Sequence, residues 1–275
     1  MSIFEEIIGM FSYSFMVRAI VVGGLVALCA SLLGVVLVLK RYSMIGDGLS
    51  HVGFGAMAVG LAFDKAPLGV AVPVVVIAAF LLLRVSENSR IKGDSAIGLI
   101  SSSALAIGMI VNSMSSGTNI DLNSYMFGSI LSIDKNEMIF CIILGIVVIG
   151  AFIYFYNPIF AITFDENFAR ATGLKVEFYK TVLAVLTAVT VVIGMRIMGT
   201  LLISSLIIFP ALSAMRITRK FKKVMIMSVI ISMVCFFSGL IASYLMELPT
   251  GATIVVSNLI VFIIMTFIEM IKVKR

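Results

Sequence analysis

The 275-residue sequence contains a single histidine, so a HExxH zinc-protease helix, which needs two, is excluded. No GxxxxGK[ST] phosphate loop is present, and the chain does not hydrolyse ATP by that mechanism. A GxSxG nucleophile elbow is missing as well, and with it goes the main case for a membrane enzyme. The three cysteines, Cys29, Cys141 and Cys235, lie inside apolar runs with no CxxC spacing, which predicts packing rather than redox or metal chemistry. Charge is scarce too: Asp, Glu, Lys and Arg make up 12% of the residues, against about 25% in a soluble domain. There is no low-complexity segment, no convincing repeat and no loop that could hold a soluble domain. A single transmembrane domain over 1–275 is therefore expected.

What fills the chain is apolar: 61% of residues are hydrophobic and the mean hydropathy is +1.20. The expected fold is all-α, a polytopic helical bundle in the membrane. Spans of about 20 residues fit near 14–39, 45–63, 67–83, 95–113, 137–156, 179–196, 199–215, 224–246 and 252–271. Residues 179–215 form one run broken only at Arg196 and Gly199, so one segment there is either a span or re-entrant, and the total is eight or nine. Glu5 and Glu6 stand where a signal peptide would carry basic residues, and Ile3, Phe4, Ile7, Ile8 and Phe11 have the spacing of a surface helix.

The net charge of +6 invites a nucleic-acid reading, but its distribution argues for topology instead. Alternate loops collect Lys40, Arg41, Arg84, Arg90, Lys92, Arg170, Lys175, Lys180, the run Arg216 to Lys223, Lys272, Lys274 and Arg275 on one side. The other side receives only Arg18, Lys65, Lys135 and Arg196. Such an imbalance puts the N-terminus outside and the C-terminus in the cytoplasm, with membrane lipid as the partner and no nucleic acid.

The segment 45–63 differs from the others. It holds Gly46, Gly48, Gly53, Gly55 and Gly60, and it carries Asp47 and His51 four residues apart. That spacing points both side chains the same way from a helix, on a face continued by Gly55, Ala58 and Ala62. Ionisable groups in a bilayer are costly and tend to mark a path for an ion or substrate, and imidazole with carboxylate is a divalent-metal donor set. The plainer alternative is a tightly packed helix whose Asp and His bond each other. Two donors fall short of the four that zinc takes, so another span or a second copy of the chain would complete the site.

The longest cytoplasmic connection, 157–178, has helix signals: Thr163 or Asp165 as N-cap, Glu166 in the first turn, Gly173 as terminator. It is either a joining helix or one presented to a cytoplasmic partner. Ser204, Ser205 and Pro210 within 199–211 predict a kinked helix or part of a pathway. Asp121 and Glu247 fall on the outer side, where they are solvated carboxylates or draw cations towards an outer mouth.

Taken in order, the motifs resemble the membrane subunits of zinc/manganese/iron-type metal ABC importers over nearly the whole chain. The carrying residues are Val38-Leu39-Lys40-Arg41 with Gly46-Asp47-Gly48-Leu49-Ser50-His51, then Gly93-Asp94-Ser95-Ala96-Ile97-Gly98 and Phe127-Gly128-Ser129-Ile130-Leu131. Asp165-Glu166 with Ala169 and Gly173, the stretch Gly199 to Ala211, and Leu248-Pro249-Thr250-Gly251-Ala252-Thr253 complete them. One departure is Val52-Gly53-Phe54-Gly55 after His51, where family members commonly have a proline. The resemblance implies a homodimeric permease in a prokaryotic cell membrane, with two cytoplasmic ATP-binding subunits and an extracytoplasmic metal-binding receptor. It implies no resident cofactor and a transported divalent metal, closest to the zinc branch, moved by alternating access. Asp47 and His51 would line the path, while Asp165, Glu166, Phe168, Ala169 and Gly173 would couple to the ATPase. A proton- or ion-coupled secondary transporter using Asp47 as proton carrier is the alternative.

Overall fold

A computed structural model describes residues 9, 12–63, 65–88, 93–114 and 135–273. The segment 1–8, Phe11, the 115–134 connection with Asp121 and Phe127 to Leu131, and Arg90 and Lys92 lie outside the described residues. Among those described there are eleven helices and no strand. They are α1 (Ser14–Leu39), α2 (Ile45–Ala62), α3 (Pro67–Asn88), α4 (Gly93–Met114), α5 (Lys135–Tyr154), α6 (Tyr156–Phe164), α7 (Glu166–Ala171), α8 (Val176–Met198), α9 (Thr200–Ile217), α10 (Phe221–Met246) and α11 (Thr250–Val273).

Seven of them, α1, α4, α5, α8, α9, α10 and α11, are long and apolar enough to cross a membrane. The segment 45–63, expected to span as well, forms the 18-residue α2, whose apolarity is diluted by Asp47, His51 and five glycines. The centre of the bundle is α1, α8 and α9, which bury most of their side chains, whereas α4, α5 and α11 expose theirs. An exposed apolar helix face has no place in water but is stable against lipid. Cys29, Cys141 and Cys235 are all buried and free, as their apolar surroundings predict.

Close backbone approach at glycine holds the bundle together. A Cβ added at Gly34 of α1 would lie 2.1 Å from the Ile207 carbonyl oxygen of α9, and one at Gly55 of α2 would lie 2.5 Å from the Ala104 carbonyl oxygen of α4. Neither neighbour is a flexible side chain, so neither yields cheaply. Gly34→Val is therefore expected to destabilise the protein by about 1–3 kcal/mol or more. Gly98→Ala, where nothing lies within 4 Å, should be neutral or slightly stabilising. Thermal unfolding in detergent separates the two; equal stability would show that the α1–α9 contact is looser than drawn.

Between α8 and α9 a single residue, Gly199, turns the chain with a φ of 86°. Gly194 lies against Val26 and Met198 against Gly23, which puts this turn roughly 13 Å below the start of α1 along its axis. Met198, Gly199 and Thr200 are buried. Irregular backbone at membrane depth survives only when protein encloses it, and here it is enclosed.

Candidate functional site

The start of α2 is set by a sharp corner. Arg41 takes a left-handed φ of 62°, and the Tyr42 N–H donates to the Leu37 carbonyl across it at 2.8 Å, so the chain leaves α1, and α2 packs against α3, α4, α8 and α9. Gly46 faces Ile207 of α9, and the absence of a side chain there lets the two helices approach. Asp47, one residue on, is thereby brought level with Ser204.

His51 Nε2 stands 3.7 Å from Asp47 Oδ2, and the Ser204 hydroxyl lies 3.3 Å from Asp47 Oδ1. The same hydroxyl is 3.1 Å from the Thr200 carbonyl, so its one proton serves either acceptor. The pair is partly open, with 41% of the Asp47 side chain and 20% of His51 exposed. Met44, the N-cap of α2, and Leu201 of α9 are exposed, each three residues before Asp47 and Ser204 respectively. Among the described residues no cluster of three or more His, Cys, Asp or Glu side chains exists, and those residues offer an imidazole, a carboxylate and a hydroxyl here.

The rest of the face expected to carry the pair is arranged differently. Gly55 and Ala58 are buried, and a Cβ added at Gly108 of α4 would lie 2.7 Å from the Gly55 Cα. The Gly55 side of that face is therefore filled by α4 of the same chain and is not where a second copy would complete the site. The open face begins at Met44, Asp47 and His51 and continues onto α9. Of the two readings open for Ser204, a kinked helix or part of a pathway, its hydroxyl's place beside Asp47 favours the second. Its approach to Asp47 comes from the fold, and the only trace in the sequence is a hydroxyl within an apolar helix.

At the opposite end of α10, Glu247 takes a left-handed φ of 53°. It lines a cleft of about 530 Å³ with Phe15, Ser243 and Thr250. The motif that follows it has a structural role, with Ser243 Oγ donating to the Leu248 carbonyl at 2.6 Å. Asp121, its proposed companion, lies outside the described residues.

The connection after α5 folds as α6 and α7. Asp165 is the N-cap: its backbone is extended (φ −149°, ψ 101°) and its carboxylate accepts from the Phe168 N–H at 2.9 Å, satisfying a donor the helix leaves free. Thr163 instead donates to the Ile159 carbonyl. Gly173, with φ 86°, ends the helix, and Leu174 N–H donates to the Ala169 carbonyl at 3.1 Å, a Schellman closure.

Glu166 is held inside the protein. Lys40 from the end of α1 and Lys180 from α8, the latter at 2.6 Å, both pair with it, and Lys40 also donates to the Ile162 carbonyl at 3.1 Å. The lysine side chains are only 6% and 10% exposed. Burial pushes the Glu166 carboxyl up, but hydrogen bonds and charge from Lys180 and Lys40 outweigh it and hold the group below the usual carboxylate range. Ala169 is fully buried against Ile162 and Val176. Within the chain, Ala169 and Glu166 both serve to dock α7. The large apolar side chains that α6 and α7 expose are Phe160, Phe164 and Phe168, one every four residues. Of these only Phe168 had been singled out, although the spacing was visible.

A bundle of long apolar helices with exposed apolar faces defines a multi-pass protein of the cell membrane. The chain belongs to the ABC 3 transport family, whose model matches residues 12–269. It is 28% identical to the high-affinity zinc uptake system membrane protein ZnuB of Haemophilus influenzae, over 90% of this chain and 95% of that protein. To the manganese transport system membrane protein MntC of Listeria monocytogenes it is 30% identical, over 93% of this chain and 91% of that one. The solved structure of PsaBC from Streptococcus pneumoniae in complex with Fab superposes with a TM-score of 0.85 at 28% identity, covering 95% and 94% of the two chains.

Proposed function

We propose that this chain is a single-domain permease subunit of an ATP-driven importer carrying a divalent metal ion into the cytoplasm, with zinc as the favoured cargo. The observation that carries the reading is the Asp47–His51 pair, partly open and reached by Ser204, in a member of a transport family whose relatives are named for metal uptake. Relatives named for zinc and for manganese match about equally well, and the preference for zinc rests on the donor set. Two such pairs across a two-fold axis supply two nitrogens and two carboxylates, a tetrahedral set that zinc accepts, whereas manganese favours more oxygen. Transient binding suits transport, because a closed four-donor structural site would trap the ion.

The orientation proposed is N-terminus outside and C-terminus cytoplasmic, with nine long helices crossing or entering the membrane. It is supported by the ends that meet. Lys40, Glu166 and Lys180 join the ends of α1, α7 and α8, and Phe221 at the start of α10 packs on Tyr156, Phe160 and Phe164 of α6. All these ends carry the basic excess. Glu247 lies at the outer mouth, where an extracytoplasmic receptor would deliver the ion. Phe164 and Phe168 face a cytoplasmic ATP-binding subunit, of which the dimer holds two.

Elemental analysis of cells lacking the chain should show zinc falling first in metal-poor medium; unchanged zinc with depleted manganese would reassign the cargo. The shared site has its own test. Met44→Cys or Leu201→Cys, placed on the open face beside the pair, should form a disulfide-linked dimer in membranes, while Ile263→Cys on α11 should not. Cross-linking at Ile263 alone would put the pair away from the two-fold axis and give each copy its own path.

A further inference from the structure

Between α1, α5 and α10 lies a groove of about 640 Å³, within the roughly 300–1,000 Å³ usual for ligand sites. Leu28 and Leu32 of α1 form its floor, Phe152 and Ile153 of α5 one wall, Met225 and Ile226 of α10 the other. Every lining residue is apolar except Tyr156, Asn157 and Lys222, and these three sit together where α6 and α10 begin. The groove runs along α10 from Lys222 to Ile230, roughly 12 Å at 1.5 Å per residue, most of one leaflet's half of a hydrocarbon core about 30 Å thick.

We propose that this groove binds one anionic phospholipid of the cytoplasmic leaflet, its acyl chains against Leu28, Leu32 and Met225 and its phosphate at Lys222, Asn157 and Tyr156. A wholly apolar groove would accept any lipid tail. Here the polar groups are confined to one end, and they include an ammonium, an amide and a phenol, all able to donate to a phosphate. Arg219, Lys220 and Lys223 beside Lys222 extend the positive field, and basic pockets between helices on the cytoplasmic side favour anionic head groups. A second copy of the chain fits this face poorly, since a two-fold contact would set the two basic runs against each other. The site is separate from the Asp47–His51 pair: Gly34 of α1 faces α9, about 200° around the helix from Leu32. The leaflet assignment uses the orientation proposed above, but symmetric vesicles make the test independent of it.

The chain has no tryptophan, so an introduced one reports alone. The full-length chain carrying Ile230→Trp is reconstituted in vesicles containing tail-brominated phosphatidylglycerol or phosphatidylcholine, and quenching is titrated against mole fraction. Ile153→Trp on the facing wall is a second reporter should the first variant fold poorly, and Ile263→Trp on α11 reports bulk lipid. In the groove, half-maximal quenching should need about five-fold less phosphatidylglycerol than phosphatidylcholine, the effect of roughly one lysine near an anionic surface. Lys222→Ala should remove the difference, and Ile263→Trp should show none. Equal quenching by both lipids in the groove would overturn the proposal. So would a preference untouched by Lys222→Ala, which would belong to the basic surface at large. Groove reporters left unquenched while Ile263→Trp is quenched would mean that protein, not lipid, fills the space.

Discussion

Asp47→Ala and His51→Ala are each expected to abolish zinc-dependent growth in chelator-treated medium and to lower labelled-zinc uptake to background. Each removes one of the two metal donors this chain supplies at the site, and in the proposed dimer the symmetric partner is lost as well, so a four-donor set falls to two. Membrane insertion should survive, because both side chains are partly exposed and their bonds to the rest of the fold are few: His51 to Asp47, and Asp47 to Ser204. Ser204→Ala provides the graded control. Its hydroxyl only orients the carboxylate, and loss of such an orienting bond typically costs about 10–100-fold in metal affinity or activity. Uptake should therefore fall in the order Ser204→Ala, then the two donor variants. Wild-type uptake in both donor variants, with normal protein levels, would remove the pair from the pathway.

The second large effect is expected at Glu166. Glu166→Ala leaves the Lys40 and Lys180 ammonium groups nearly buried without their shared carboxylate. Breaking such a pair from one side costs roughly 2–3 kcal/mol once the partial exposure of Glu166 is allowed for. That energy holds α7 onto the ends of α1 and α8, so its loss should release α7 and uncouple ATPase stimulation from transport. Glu166→Gln keeps an acceptor without the charge and should be intermediate. Phe168→Asp tests the outward surface instead, since Phe168 is 65% exposed; ATPase association should weaken with the fold intact. Ala169→Arg would not be a clean test of contact, because it forces a charge into a fully buried position. If Glu166→Ala stimulates the ATPase as the parent chain does, the docking role is wrong.

A pH consequence follows from the same lysines. The Glu166 carboxyl is held below its ordinary value, so its contribution to stability is complete above the unfolded value of about 4.3 and is lost only as pH falls through the lower folded value. Transport measured between roughly pH 5 and 8 should carry no inflection from Glu166. An inflection in that range, absent in Glu166→Gln, would show that the carboxylate titrates where the two lysines should prevent it.

Much of this could be read from neighbours along the chain. The four-residue spacing of Asp47 and His51 places them on one helix face whatever surrounds them, because helical periodicity is local. Asp165 as cap and Gly173 as terminator are local too, and both hold. The apolar surroundings of the cysteines predicted their burial, and the order of motifs pointed to the family. Which neighbour occupies a given face is a different kind of question. Ser204 reaches Asp47 across 157 residues of sequence, and Lys40 reaches Glu166 across 126. The small residues on the Gly55 face permit close approach, and the family resemblance sets Ala169 near a partner, but neither says which neighbour fills the place inside the chain. In this protein α4 fills the first place and Ile162 and Val176 the second. Burial and pairing are properties of the packed bundle, set by which helices meet at which depth, and no window of sequence contains both sides of such a contact.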